Sequence, residues 1–313
     1  LVCRLLGKRI TLVLHQVLSD IWSLNGHLGL RFDSRQYRLF SNLLPLFYAG
    51  LTRCANATLV LEEEFKKRLR GLAPLDRVSV IPHGVETHNQ IMSKKVARKK
   101  LGLNPNEFIL LSFGFVTWYK GTDILARALA HTKTIHGKPL RLVIAGGEST
   151  TQKHKAHYQS YFSGVKALIR GKAHITMTDF VPDEKIGLYF AAADMVAFPY
   201  RTVMSSSGPL SLALSYGKPI VLSQAMQAYA KTADVKESIA SARLPVSTLF
   251  MPENGQRMGM FLEKVSRPNA KKKLTAFAKM VAEKRSFSRM ADAYYTVLTS
   301  PALGAQEAQP ALA

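Results

Sequence analysis

Phe108 to Leu125 reads FILLSFGFVTWYKGTDIL. Phe108–Val116 is almost continuously apolar, the pattern of a parallel strand covered on both faces rather than of one with a wet side. Gly114 near its end allows a ligand to approach the backbone closely. Lys120 follows, beside a helix start, where a cation can meet a phosphate. A helix is expected over Asp123–Ile135, with Ile124, Leu125, Ala128, Leu129 and Thr132 on one face. Outward from here the same alternation repeats. Leu140–Ala145, His174–Val181, Met195–Phe198 and Pro219–Leu222 read as further strands. Asp183–Ala193 reads as a helix with an acidic first turn behind Pro182. Strand and helix in alternation predict a doubly wound α/β architecture.

The region ahead of this one supplies three strand candidates: Ile10–Leu14, Thr58–Leu61 and Val78–Ile81. That is too few for a second complete doubly wound domain, so part of a first domain is expected to be missing from this sequence. The expected division is residues 1–90 as a partial N-terminal domain and 91–285 as a complete second one. A helix over 286–300 and a disordered tail over 301–313 follow.

Three other segments carry polar chemistry. Ser205-Ser206-Ser207-Gly208-Pro209-Leu210 follows a strand. Serine suits an N-cap and proline the first turn, so a helix should run from Pro209 to Tyr216 with Gly217 as its stop. The free amides of Ser207, Gly208 and Leu210, with the helix dipole, would make an anion site. From spacing alone an ordinary capped helix is the simpler reading. Ala145-Gly146-Gly147 ends an apolar strand and suits either a ligand crevice or a plain tight turn. His15 ends Ile10–Leu14, where a histidine either holds a substrate hydroxyl or serves the fold. No metal constellation is evident: His131 and His136 share a helical pattern without a carboxylate in register.

The 313 residues carry 43 Lys and Arg against 21 Asp and Glu, a formal charge of +22. Such a field attracts polyanions, acidic lipid headgroups or phosphorylated substrates, unless it is simply a solvated surface. Nucleic acid is not expected, since no zinc-finger spacing or RNA-module signature occurs. Cys3 and Cys54 exclude a disulfide framework. No apolar run approaches the length of a membrane span.

Taken in order, several segments resemble the retaining glycosyltransferases of the two-domain GT-B fold, family 4. They are Val80-Ile81-Pro82-His83-Gly84-Val85-Glu86; Phe113-Gly114 to Lys120-Gly121; Leu142-Val143-Ile144-Ala145-Gly146-Gly147; Asp179-Phe180-Val181-Pro182-Asp183-Glu184; and Phe198-Pro199 to Gly217-Lys218-Pro219. The resemblance implies two Rossmann-like domains facing a cleft, the first incomplete here, with the last helix crossing back to it. It implies a UDP- or GDP-linked nucleotide sugar as donor, no metal and no other cofactor. The acceptor would be a hydroxyl of a glycan, a polysaccharide or a lipid-linked saccharide. The setting would be the cytoplasm, with peripheral association to an anionic inner membrane face.

By the same resemblance, Gly114, Lys120 and the amides around Ser207, Gly208 and Leu210 would hold the donor diphosphate. Ser205 and Ser206 would add hydroxyl donors, and the backbone at Val181 would face the base. His15 would lie near the transferred sugar. The sequence departs from the family at Phe115, where an arginine is usual, and at Ser205 and Leu212, which stand in for two glutamates. A charge-assisted hydrogen bond contributes about 1.5–3 kcal/mol, so this donor must be held differently or turnover is impaired. The alternatives are a nucleotide-sugar epimerase, for which no carboxylate pair is placed, and a non-catalytic GT-B protein that binds a polyanion or partner.

Overall fold

The computed structural model describes residues 6–18, 20–21, 34–88, 92–203, 206–252 and 255–299. The expected tail over 301–313 lies outside them. The chain forms two compact units. One comprises 1–84, 204–206 and 287–313, and the other 85–203 and 207–286.

The first unit holds a three-stranded parallel sheet of β1 (Thr11–Leu14), β2 (Ala57–Val60) and β3 (Val78–Val80), in that order. Every residue of β2 is buried, as expected of a central strand covered on both faces. Helix α1 (Arg35–Cys54) joins β1 to β2. Ser34 caps it by accepting from the Tyr37 amide. Helix α2 (Glu63–Arg68) follows β2.

The second unit begins with α3 (Lys94–Lys100) and carries a parallel sheet. Its members are β4 (Phe108–Phe113), β6 (Lys138–Ala145), β7 (Ile175–Met177), β8 (Met195–Phe198) and β9 (Ile220–Leu222). The order is β7-β6-β4-β8-β9. Numbered along this sheet, that is the doubly wound order 3-2-1-4-5, which reverses between β4 and β8. Phe108 to Leu111 and all of β8 and β9 are buried. Burying each large apolar side chain stabilises the unit by about 1.5–3 kcal/mol. Helices α4 (Thr122–Ala128), α5 (Ala156–Ile169), α6 (Asp183–Ala192) and α7 (Gly208–Ser215) connect the strands. They are followed by α8 (Ala233–Ser241), α9 (Gly255–Ser266) and α10 (Pro268–Lys284). The last helix, α11 (Phe287–Thr299), belongs to the first unit. There the Arg9 guanidinium donates to the Val297 and Leu298 carbonyls at its end.

Several elements are shorter than their sequence pattern. The helix expected over Asp123–Ile135 stops at Ala128. Thr134–Ile135 instead forms β5, antiparallel to the start of β6. The turn residues His136 and Gly137 have φ of 50° and 72°. Positive φ at both central positions is what a two-residue hairpin requires. His131 and His136 therefore do not share a helix. The strand expected over His174–Val181 ends at Met177, because Asp179 turns the chain with φ 60°. Likewise β4 ends at Phe113, ahead of Gly114 with φ 102°.

Candidate functional site

Strand ends and loops at the carboxyl edge of the second sheet build one cavity of about 260 Å³. It is lined by Phe113, Gly114, Phe115, Lys120, Ala145, Gly146, Phe180, Val181, Asp183, Ile186 and Pro209. It lies where the strand order reverses, the usual ligand position in open α/β sheets.

Each lining loop is fixed by the chain around it. After β4, the Gly114 amide donates to the Ala145 carbonyl and the Val116 amide to Gly147. Tyr158 ties the same loops from below: its hydroxyl donates to the Val116 carbonyl and accepts from the Ser149 amide. A Cβ on Gly146, whose φ is 149°, would run into the Gly114 carbonyl, so the two strand ends touch backbone to backbone.

Lys120 ends a short 3₁₀ turn, Trp118–Lys120, and Gly121 turns left-handed (φ 68°, ψ 24°) to open α4. A Cβ on Gly121 would collide with the Pro199 carbonyl. Arg201 braces this turn. Its backbone amide donates to Tyr119 O, its guanidinium to Trp118 O, and two nitrogens grip Asp123 at 2.9 and 2.7 Å. Asp123 is almost fully buried and also accepts from Tyr161 at 2.8 Å. Burial pushes the Asp123 carboxyl up, but Arg201, Tyr161 and Arg127 outweigh it and hold the group below its ordinary range.

That brace leaves the Lys120 ammonium inside the cavity. Among the described residues it has no ion pair and no hydrogen-bond acceptor. Burial pushes its pKa down from 10.5 to about 8. A methyl group placed on Gly114 would lie 2.6 Å from Lys120 Nζ and 3.2 Å from the Pro209 ring. The ammonium and the start of α7 therefore converge on one point over Gly114.

The start of α7 is partly committed already. Ser207 caps it, and its hydroxyl accepts from the Leu210 amide at 3.2 Å and pairs with the Tyr200 hydroxyl at 2.8 Å. The expectation of a free Leu210 amide is corrected accordingly: a serine cap consumes it. The Ser207 and Gly208 amides have no partner among the described residues. Gly208 is exposed, with nothing within 4 Å of where its Cβ would stand. The Ser206 hydroxyl is not available to the cavity either; it donates to Glu62 at 2.9 Å in the first unit. Ser205 lies outside the described residues. His15 is exposed at the carboxyl end of β1, in the first unit. Val181 is buried and lines the cavity, as does Gly114.

In the sequence Phe115 stands where the family resemblance implies an arginine, and nothing there singles out Phe180. The structure stacks their rings at a centroid distance of 6.4 Å, with Phe180 63% exposed. Two phenylalanines that follow strand ends are the only sequence signal of this apolar wall. Asp183 lines the cavity, whereas the sequence marks it only as a first-turn acid. No group of three His, Cys, Asp or Glu that could hold a metal occurs among the described residues. None of the described helices is long and apolar enough to cross a membrane.

A parallel sheet in 3-2-1-4-5 order, with a cavity at its switch point, defines a doubly wound α/β domain. Comparison with known proteins makes this specific. Residues 93–238 match the family model for glycosyl transferases, group 1. A D-inositol 3-phosphate glycosyltransferase of Xylanimonas cellulosilytica is 29% identical over 147 residues, covering 44% of this chain and 33% of that protein. Its counterpart from Segniliparus rotundus is 30% identical over 151 residues, covering 46% and 31%. The matched region thus spans about a third of the length of these curated relatives.

Among solved structures, Anabaena HepE in complex with UDP superposes with a TM-score of 0.72 at 16% identity. The match covers 96% of this chain and 74% of that one. Sucrose-phosphate synthase from Thermosynechococcus elongatus gives 0.66 at 17% identity, covering 92% and 66%. The fold is GT-B, and residues 93–238, just under half of the chain, are similar to the glycosyl transferases of group 1.

Proposed function

We propose that this chain transfers a sugar from a nucleotide-sugar donor to an acceptor hydroxyl, with retention at the anomeric carbon. The carrying observation is the convergence of the half-buried Lys120 ammonium, which has no ion pair among the described residues, with the start of α7 over the bare backbone of Gly114. An ammonium without an anion is costly to bury, and a diphosphate would satisfy it. As the bond from the anomeric carbon to the diphosphate breaks, negative charge grows on the leaving oxygen. Lys120 and the Ser207 and Gly208 amides would stabilise that charge, without a metal. Val181 and the Phe115–Phe180 wall would take the base. HepE, which shares the fold, was crystallised with UDP, and a UDP-linked donor is the first to try. The acceptor is proposed to be a glycan or lipid-linked hydroxyl, and His15 to hold a hydroxyl of the transferred sugar. The excess of basic groups supports loose association with an anionic inner membrane face.

One observation favours a second reading, a protein that binds the donor without turning it over. Phe115 and Leu212 are apolar where the family resemblance implies charged donor ligands. Titration of UDP-glucose and GDP-mannose into the full chain, with release of nucleoside diphosphate followed in parallel, separates the readings. Binding with acceptor-dependent release supports transfer. Binding without release supports the second reading. Gly208→Val should abolish binding, because the added bulk would stand at the start of α7, where the anion is proposed to sit, while the cap remains. Equal binding by wild type and Gly208→Val would remove the site.

A further inference from the structure

The opposite edge of the same sheet carries a second concentration of charge. Asp194 sits just before β8, with its side chain 9% exposed, and four cations gather around it. Its Oδ1 accepts from Lys94 Nζ at 2.5 Å and Lys271 Nζ at 3.1 Å. Its Oδ2 accepts from Arg98 at 2.6 Å and from the Ile109 amide at 2.9 Å. Lys218, just before β9, donates to the Ala191 and Ala193 carbonyls. The stem of Lys279 passes over the adjacent Gly217.

One carboxylate with both oxygens occupied therefore faces a guanidinium and three ammonium groups, and the cluster keeps a net positive charge. Arg98 is buried and spends its other donors on the Ala192, Pro105 and Glu107 carbonyls, which marks it as part of the fold. The lysines differ. Lys94 and Lys271 share a single oxygen, so their ammonium groups are near neighbours. Their side chains are 44% and 32% exposed. Neither has a further partner among the described residues, and each ammonium has donors to spare.

We propose that Lys94, Lys271 and Lys218 form a second anion site, which takes a dianionic phosphate group at the amino edge of the sheet. A phosphate brings two negative charges and several acceptor oxygens, which matches neighbouring ammonium groups that share a single carboxylate. The mutual repulsion has a signature. Burial, then the neighbouring Lys94, push Lys218 down to about 8. Lys271 is also lowered, by burial first and against the pull of Asp194. The site is separate from the cavity around Lys120, since β4 at about 3.3 Å per residue puts the two edges roughly 20 Å apart.

The test uses the full chain carrying Lys120→Ala, so that the cavity lysine cannot contribute. Inorganic phosphate is titrated by calorimetry at constant ionic strength, with and without Lys94→Gln and Lys271→Gln. The parent should bind phosphate. The double variant should bind at least about tenfold more weakly, the equivalent of one lost charge-assisted hydrogen bond. Arg98 still pairs with Asp194 in that variant, so it should fold, and its circular dichroism checks this. Should it not fold, the Lys271→Gln single variant is measured instead, with the same loss expected.

Sedimentation with phosphatidylcholine vesicles, with and without phosphatidate, identifies the source. Phosphate binding with phosphatidate-dependent sedimentation assigns the site to a lipid headgroup. Phosphate binding alone assigns it to a free phosphate. Absence of phosphate binding by the parent, or equal binding by parent and variant, overturns the proposal.

Discussion

The two edges of the second sheet hold lysines in opposite ways. At the carboxyl edge, glycines bring backbones together and leave Lys120 facing a cavity with no ion pair among the described residues. At the amino edge, Asp194 gathers Lys94, Lys271 and Arg98 into ion pairs. The amino edge spends most of its charge on fixing α3 and α10 to the sheet. The carboxyl edge keeps its charge unspent and spends a second network, Asp123 with Arg201 and Tyr161, on holding the lysine in place. In this domain one edge holds its lysines through a shared carboxylate, and the other leaves its lysine without an ion pair among the described residues.

Asp194→Ala tests that comparison most severely. Removing one carboxylate from among several cations leaves buried charge without compensation, which costs about 3–5 kcal/mol. Urea unfolding should show a loss of that size, and an unchanged midpoint would make the network ornamental. Lys120→Ala should do the reverse. It should weaken donor binding by about 2–4 kcal/mol, the scale of one preorganised charge contact. Its urea midpoint should hold or rise, because a buried unpaired ammonium favours the unfolded chain. Unchanged donor affinity in that variant would break the comparison from the other side.

The wall opposite Lys120 gives a smaller and opposite effect. Phe115→Arg places a second cation at the cavity and should tighten nucleoside diphosphate binding by about 1.5–3 kcal/mol. Calorimetry with UDP reads this directly, and weaker binding would mean that the ring itself holds the ligand. The smallest effect is on pH. The diphosphate binds the protonated lysine, whose pKa in the free protein is about 8. Affinity should therefore be flat below that value and fall above it, by about tenfold between pH 7 and pH 9. A flat profile over that range would exclude Lys120 as the ligand.

Much of this was legible in the residues. The apolar runs marked the strands of both sheets, since a strand covered on both faces needs no alternation. The serine-glycine-proline turn marked the start of α7, because cap and first-turn preferences act locally. Lys120 was legible for the same reason, as a cation just ahead of a helix. What was not legible depended on partners distant in the chain. The Asp123–Arg201 brace joins residues 78 positions apart, and nothing local to either announces it. The commitment of the Leu210 amide to Ser207 was open to sequence reasoning, but the binding reading needed the amide free and the capping reading did not. Ser206 turns toward Glu62, 144 positions away. The Asp123–Ile135 pattern failed because its apolar spacing persists past Ala128 while the His136-Gly137 turn reverses the chain.

The claim that Lys120 holds the donor diphosphate is tested most directly by titrating its ammonium, followed by ¹⁵N NMR of the side chain, with and without UDP. A value of about 8 is expected in the free protein, with a clear rise toward or beyond the ordinary lysine value of 10.5 once the diphosphate pairs with it. A Lys120 resonance that titrates at the same pH in both states, with UDP bound, would contradict it.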